Sequence, residues 1–143
     1  MILISHRGNI DGKTLLENQP SYIDDAIELG YDVEVDIWYI GDKLYLGHDL
    51  AQYQIDISWL DNRKSKLWVH CKNHPALELM CETDLHYFWH DEDDVTITSK
   101  GIIWAHPKIK PLEKSIAVLP ENHNWPVSDC LGVCSDYIKQ YKR

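Results

Sequence analysis

The chain has 143 residues, 44% of them apolar, with six Trp and eight Tyr but one Phe; that length holds a single domain spanning 1–143, with an aromatic core whose N–H and O–H groups need partners. Lys and Arg total 14 against 23 Asp and Glu, a formal charge of −9, which disfavours a nucleic-acid partner because binding a polyanion draws on counterion release by a basic surface. No apolar run approaches the ~20 residues of a membrane span, no secretory apolar segment precedes the cysteines, and Cys71, Cys81, Cys130 and Cys134 show no CxxC pairing, so the expectation is a cytoplasmic protein with reduced thiols.

Met1 to Ser5 is an apolar run ending at His6, and the polar stretch from Gly8 to Leu16 predicts a loop. A helix follows, with Asn18 as a favoured N-terminal residue and Pro20 just inside the start. Its body carries Tyr22, Ile23, Ala26, Ile27 and Leu29, and Gly30 ends it. From Asp32 to Trp38 the pattern alternates: Val33, Val35 and Ile37 face one side, Asp32, Glu34, Asp36 and Trp38 the other. Gly41-Asp42 predicts a tight turn into Leu44 to His48, a hairpin that folds His48 back towards Glu34 and Asp36. Leu67 to Lys72 alternates again, with Trp68, His70 and Lys72 on the polar side, and Pro75 starts a short helix through Ala76, Leu77, Leu79 and Met80. Beyond residue 84 the helical signals fade into short apolar runs at His86 to Trp89, Ile102 to Ala105, Ile116 to Leu119 and Leu131 to Cys134. Strand, loop and helix at the start, then strands without crossover helices, predict an α/β fold: a contracted, TIM-like (β/α) barrel with helices reduced in the C-terminal half. A full barrel of this kind takes about 250 residues. Strand edges left by such shortening would be covered by forming an oligomer.

Chemistry concentrates in four segments: Ser5-His6-Arg7-Gly8, Glu34-Val35-Asp36, Gly47-His48-Asp49 and His70-Cys71-Lys72. Residues two apart on a strand share a face, so Glu34 and Asp36 present two carboxylates side by side, as a hard divalent cation requires. Alternation alone would equally describe a solvated strand face; beside the other three segments it points to a metal site. His6 and His48 each close an apolar run, where a parallel barrel exposes catalytic side chains, and histidine can give or take a proton near neutral pH. Asp49 either orients His48 or caps a turn. For His70 the metal-ligand and structural readings stand level, and Lys72 reads as a phosphate contact or a surface lysine. Glu17 and Asn18 read as a helix start, with Glu17 also a site candidate. In the second half, His86, His90, Asp91, Glu92, Asp93 and Asp94 with Trp104 and His106 form a substrate rim or an acidic turn. His90 and Trp104 are the pocket candidates by their strand-end positions. Cys130-x-x-x-Cys134 has no partner motif and reads as buried thiols.

The N-terminal half resembles the glycerophosphodiester phosphodiesterase family, within the phosphatidylinositol-phospholipase-C-like phosphodiesterases. The resemblance rests on Ser-His-Arg-Gly at 5–8, Glu-Asn at 17–18, Glu-Val-Asp at 34–36, Leu-Gly-His-Asp at 46–49 and the lysine of His-Cys-Lys at 70–72, in that order over about half the chain. Gly132 to Asp136 also looks like that family's last barrel strand. The resemblance implies a divalent cation held partly by Glu34 and Asp36, an acid–base pair of His6 and His48, and phosphate contacts from Arg7 and Lys72. Where the family carries a glutamate ligand, this chain has His70, which fits either a softer ion or a shell completed by water or another carboxylate. The loop reads Leu16-Glu17-Asn18-Gln19 where the family has Pro-Glu-Asn-Thr, and the second-half motifs are mostly missing.

The expected activity is metal-dependent hydrolysis of a small glycerol- or sugar-linked phosphodiester, with catalytic His6 and His48, metal ligands Glu34, Asp36 and His70, and magnesium, calcium or manganese as the ion, zinc being a further option. Two other functions fit the same residues: a lyase-like phosphotransferase that releases a cyclic phosphodiester, and a non-catalytic module that binds a metal or a phosphorylated ligand.

Overall fold

The computed structural model describes residues 1–141. Strand β1 (Ile2–His6) leads through a long loop to helix α1 (Pro20–Glu28) and strand β2 (Asp32–Ile40). The hairpin forms as expected: β3 (Lys43–Leu46) returns antiparallel to β2, pairing Ile40 with Lys43 and Ile37 with Leu46. Gly41 and Asp42 both take positive φ, 56° and 62°, the backbone of a two-residue turn matched to strand twist. After β4 (Tyr53–Ile55) and α2 (Ile57–Asp61) come β5 (Leu67–Cys71), α3 (His74–Met80), β6 (Tyr87–Phe88), β7 (Val95–Ile97), β8 (Ile103–Ala105), β9 (Ser115–Val118) and β10 (Gly132–Ser135).

All ten strands belong to one sheet, ordered β4-β3-β2-β1-β10-β9-β8-β7, with β5 pairing β2 and β6 pairing β5. Pairings β6-β5-β2-β1-β10-β9-β8 are parallel, while β2-β3, β3-β4 and β7-β8 are antiparallel. The sheet curls into a mixed half-barrel.

This corrects the expected TIM-like (β/α) barrel. Among the described residues there are three α-helices, all before residue 81, and strand and helix do not alternate around the sheet. The cause is visible in the connections. Pro107 and Pro111 interrupt the link from β8 to β9, and Pro120 and Pro126 the link from β9 to β10. Each proline removes a backbone donor and clashes with the preceding turn, so these links cross as irregular chain and one short 3-10 turn, Pro120–Asn122.

The two faces of the sheet divide the core. On the convex side, Val33, Val35 and Ile37 of β2 and Leu67, Val69 and Cys71 of β5 pack under Ile23 and Ala26 of α1, Leu60 of α2 and Ala76 and Met80 of α3. The concave side is filled by Ile4, Trp68, Phe88, Trp104, Ile116, Val118 and Cys134. Trp104 lies with its ring centroid 4.6 Å from Phe88 and 5.7 Å from Trp68, so side chains from β5, β6 and β8 meet across the curl.

Helix α1 begins one residue later than its sequence suggests. Gln19, not Asn18, occupies the N-cap and makes no side-chain capping bond. Asn18 instead takes a left-handed backbone, φ 66°, and turns inward. The caps of α2 and α3 follow the usual chemistry: Asp56 accepts from Trp59 N–H and Asn73 from Ala76 N–H.

Candidate active site

Sheet register assembles the site at the C-terminal ends of four neighbouring strands. Ser5 is paired with Ser135, so the next residues, His6 and Asp136, lie side by side. His6 is paired with Glu34, and Asp36 with His70. With side chains alternating, His6, Asp136, Glu34, Asp36 and His70 all fall on the concave face. One cavity of about 210 Å³ is lined by His6, Arg7, Glu34, His48, His70 and Lys72 on one side and by His90, Asp91, Trp104 and His106 on the other. Both pocket candidates of the second half, His90 and Trp104, are thus in its wall. His86 is not: it lies buried beneath, Nε2 within 2.6 Å of Thr98 Oγ1.

Glu34 and Asp36 are 2% and 0% exposed, which removes the solvated-strand alternative. Their partner is His70, whose Nδ1 lies 3.2 Å from Asp36 Oδ1 and 3.6 Å from Glu34 Oε2. The other ring nitrogen, Nε2, is 3.0 Å from the carbonyl oxygen of His90; a carbonyl only accepts, so Nε2 carries a proton and donates. Burial opposes charge on His70, but the two carboxylates outweigh it and raise its pKa to about 9. Burial likewise works against ionised Asp36, yet His70, Arg7 and Asn18 hold its carboxyl well below the ordinary range.

Among the described residues these three form the one group of His, Cys, Asp or Glu side chains able to grip a metal ion, with ligand atoms all within 4.8 Å of one another. Two observations fit the group to a cation. Glu34 Oε1 is buried with no hydrogen-bond partner, an arrangement that costs about 1–3 kcal/mol unless something else satisfies it, and Asp36 Oδ1 faces His70 Nδ1 alone, at 3.2 Å. And His70 donates its distal N–H to a backbone carbonyl, the support that metal-ligating imidazoles ordinarily have. Cys130 and Cys134 belong to no such group; Cys134 is buried on the concave face.

Both candidate proton-transfer histidines are backed by carboxylates. His6 Nδ1 is 2.7 Å from Asp136 Oδ1, which also accepts from Asn9 Nδ2 at 2.8 Å. Burial opposes ionisation of Asp136, but His6 and Asn9 hold its carboxyl below the usual range. His48 Nδ1 is 2.6 Å from Asp49 Oδ1, so Asp49 orients its neighbour. In each imidazole the carboxylate fixes the proton on Nδ1 and leaves Nε2 for chemistry.

Arg7 and Lys72 differ in how they are held. The Arg7 Nε lies 3.2 Å from Asp36 Oδ2 and its Nη1 3.1 Å from Glu17 Oε2. Glu17 therefore holds the Arg7 guanidinium in place. Lys72 lines the cavity and makes no ion pair among the described residues, leaving its ammonium free for an anion. Asn18 clamps the acid behind them, donating from Nδ2 to Asp36 Oδ2 at 2.9 Å and accepting from Asp36 N–H at 3.0 Å.

The sequence reading did not assign Asp136 or Asn9 to the site. Asp136 stands 130 positions from its partner His6, and only the strand-like run from Gly132 to Asp136 hinted at its place. His106 stacks on His90, ring centroids 4.8 Å apart, completing the far wall.

Among the described residues no helix is long and apolar enough to cross a membrane. Comparison with protein-family models, curated proteins and solved structures returns no match, so the functional reading stands on these residues and their geometry.

Proposed function

We propose that this cavity cleaves a small glycerol- or sugar-linked phosphodiester by acid–base catalysis at His6 and His48, with a divalent cation held by Glu34, Asp36 and His70. The observation that carries the reading is the convergence, in one cavity, of two carboxylate-backed imidazoles, an unpaired ammonium and an acidic cluster with an unsatisfied oxygen, Glu34 Oε1.

Lys72 and Arg7 bind the phosphoryl oxygens and offset the charge that accumulates there. One imidazole takes a proton, through Nε2, from the attacking hydroxyl as its oxygen bonds to phosphorus. The other gives a proton to the departing alcohol as its P–O bond breaks, so protons and charge balance across the step. Asp136 and Asp49 keep each ring oriented and stabilise its cationic form. When bound, the cation would withdraw charge from the phosphoryl group and orient it. The four cysteines are free thiols, which supports a cytoplasmic setting.

Turnover of glycerophosphodiesters and sugar phosphodiesters, followed by phosphorus NMR with saturating divalent cation, tests this directly. Replacing His6 or His48 by Ala should lower turnover by ~10²–10⁴. Phosphorus NMR also separates hydrolysis from release of a cyclic phosphodiester. Unchanged turnover in both variants refutes the assignment, and ligand binding without cleavage of any phosphodiester identifies a binding module instead.

A further inference from the structure

The acidic cluster contains one nitrogen donor, and its position discriminates among cations. His70 cannot swing away from the two carboxylates. Its Nε2–H is tied to the His90 carbonyl at 3.0 Å, and its ring stacks on Phe88 with centroids 4.8 Å apart and planes 17° from parallel. The orientation is fixed with it: with the Nε2 proton held by that carbonyl, Nδ1 is the nitrogen that faces Asp36 Oδ1 and Glu34 Oε2, and an ion gripped there would take the place of its proton.

The 3.2 Å separation of Nδ1 from Asp36 Oδ1 matches an edge of a coordination shell with bonds of about 2.1 Å, for which neighbouring ligands sit roughly 3.0–3.4 Å apart, and the 3.6 Å separation from Glu34 Oε2 is slightly longer than such an edge. Charge points the same way. Asp36 already faces the Arg7 guanidinium at 3.2 Å, and Lys72 lines the same cavity. The net negative potential on which magnesium and calcium depend is therefore reduced, while the coordinate bond from imidazole is not. Calcium prefers six to eight oxygens and magnesium a shell of oxygens and water, whereas imidazole suits the first-row transition ions and zinc.

We propose that His70 makes the Glu34–Asp36–His70 cluster a site for manganese or zinc in preference to magnesium or calcium, with Nδ1 bonded directly to the ion. The inference rests on the cation-holding role given to the cluster above, but its test reads the bound ion and not turnover.

Calorimetric titration of the metal-free protein with manganese, zinc, magnesium and calcium chlorides gives the order of affinities, and pulsed EPR of the manganese complex detects a directly bound nitrogen. The wild type should bind manganese at least about a hundredfold more tightly than magnesium and show the nitrogen coupling. In His70→Glu the coupling should vanish and the manganese-to-magnesium ratio fall by about tenfold or more, with calcium binding gained. Absence of nitrogen coupling in the wild type, or the same order of affinities in His70→Glu, overturns the inference. If no ion binds at all, the cluster's cation-holding role falls as well. A wild type that shows the coupling yet cleaves no phosphodiester leaves the inference standing and refutes only the catalytic reading.

Discussion

Replacing Asn18 by Gly separates a helix cap from a clamp on the site. As an N-cap, Asn exchanged for Gly would cost only a few tenths of a kcal/mol. In the fold, Asn18 makes two buried bonds to Asp36, one to the carboxylate at 2.9 Å and one from the backbone N–H at 3.0 Å. The neighbouring strand β1 ends at His6, so Asn18 fills the place beside Asp36 that a strand residue would otherwise take. Gly keeps the left-handed backbone, φ 66°, at no steric cost, so the loss is that of the clamp alone. A bond to a charged group contributes about 1.5–3 kcal/mol and an orphaned buried N–H costs about 1–3, together roughly 2.5–6 kcal/mol. Against the ~5–15 kcal/mol that holds a domain of this size, that is a large fraction. Equilibrium urea unfolding measures it, and because Asp36 also loses orientation, cation affinity should fall about 10–100-fold in the same variant. A destabilisation below about 1 kcal/mol would show that the two bonds contribute nothing beyond a cap.

Asp136→Asn should lower turnover by about 10²–10³ with little change in KM, because the amide can still accept from His6 Nδ1–H but no longer stabilises the charged ring; steady-state kinetics that separate kcat from KM check it. His86 governs acid stability. Burial, then Lys100, lowers its pKa to about 4, so the unfolded chain takes up this proton first, near pH 6.5. The stability it contributes is therefore complete above pH 6.5 and is lost as pH falls from there to 4, by at most about 3 kcal/mol. Urea midpoints measured across that range should drop in the wild type and flatten in His86→Gln.

Period-two alternation in β2 and β5 was enough to read which side chains face the cavity, because a strand leaves each residue only two directions. The Gly41-Asp42 turn was equally legible, since its backbone requires positive φ at both positions. Asn18 misleads for a physical reason: the same side-chain geometry that caps a helix also bonds any nearby backbone N–H, and its distance to Pro20 suggests the cap. The pairing of His6 with Asp136 is a product of sheet closure, and no local pattern around either residue encodes a bond spanning 130 positions. The barrel expectation extrapolated the βα unit of the first thirty residues across connections that prolines at 107, 111, 120 and 126 divide into pieces too short for the helices it needed.

Loss of those helices does not cost the site its geometry, because every element of the proposed chemistry except His48 and its partner Asp49 comes from the contiguous run β5-β2-β1-β10 or the residues directly after those strands. Register within that run sets His6 beside Asp136, Glu34 beside His6 and His70 beside Asp36, and the α-helices that remain lie on the convex side of these strands. The hairpin after β2 then returns His48 to the same rim. What the curled second half must add is a wall, and strand ends suffice for that: Trp104 on β8 is wedged against Phe88 and Trp68, while His90 and His106 stack above it. A closed ring of alternating strands and helices is thus unnecessary for the two proposed proton-transfer groups to face the proposed cation site, provided four adjacent parallel strands keep their register and the hairpin returns His48 to their rim.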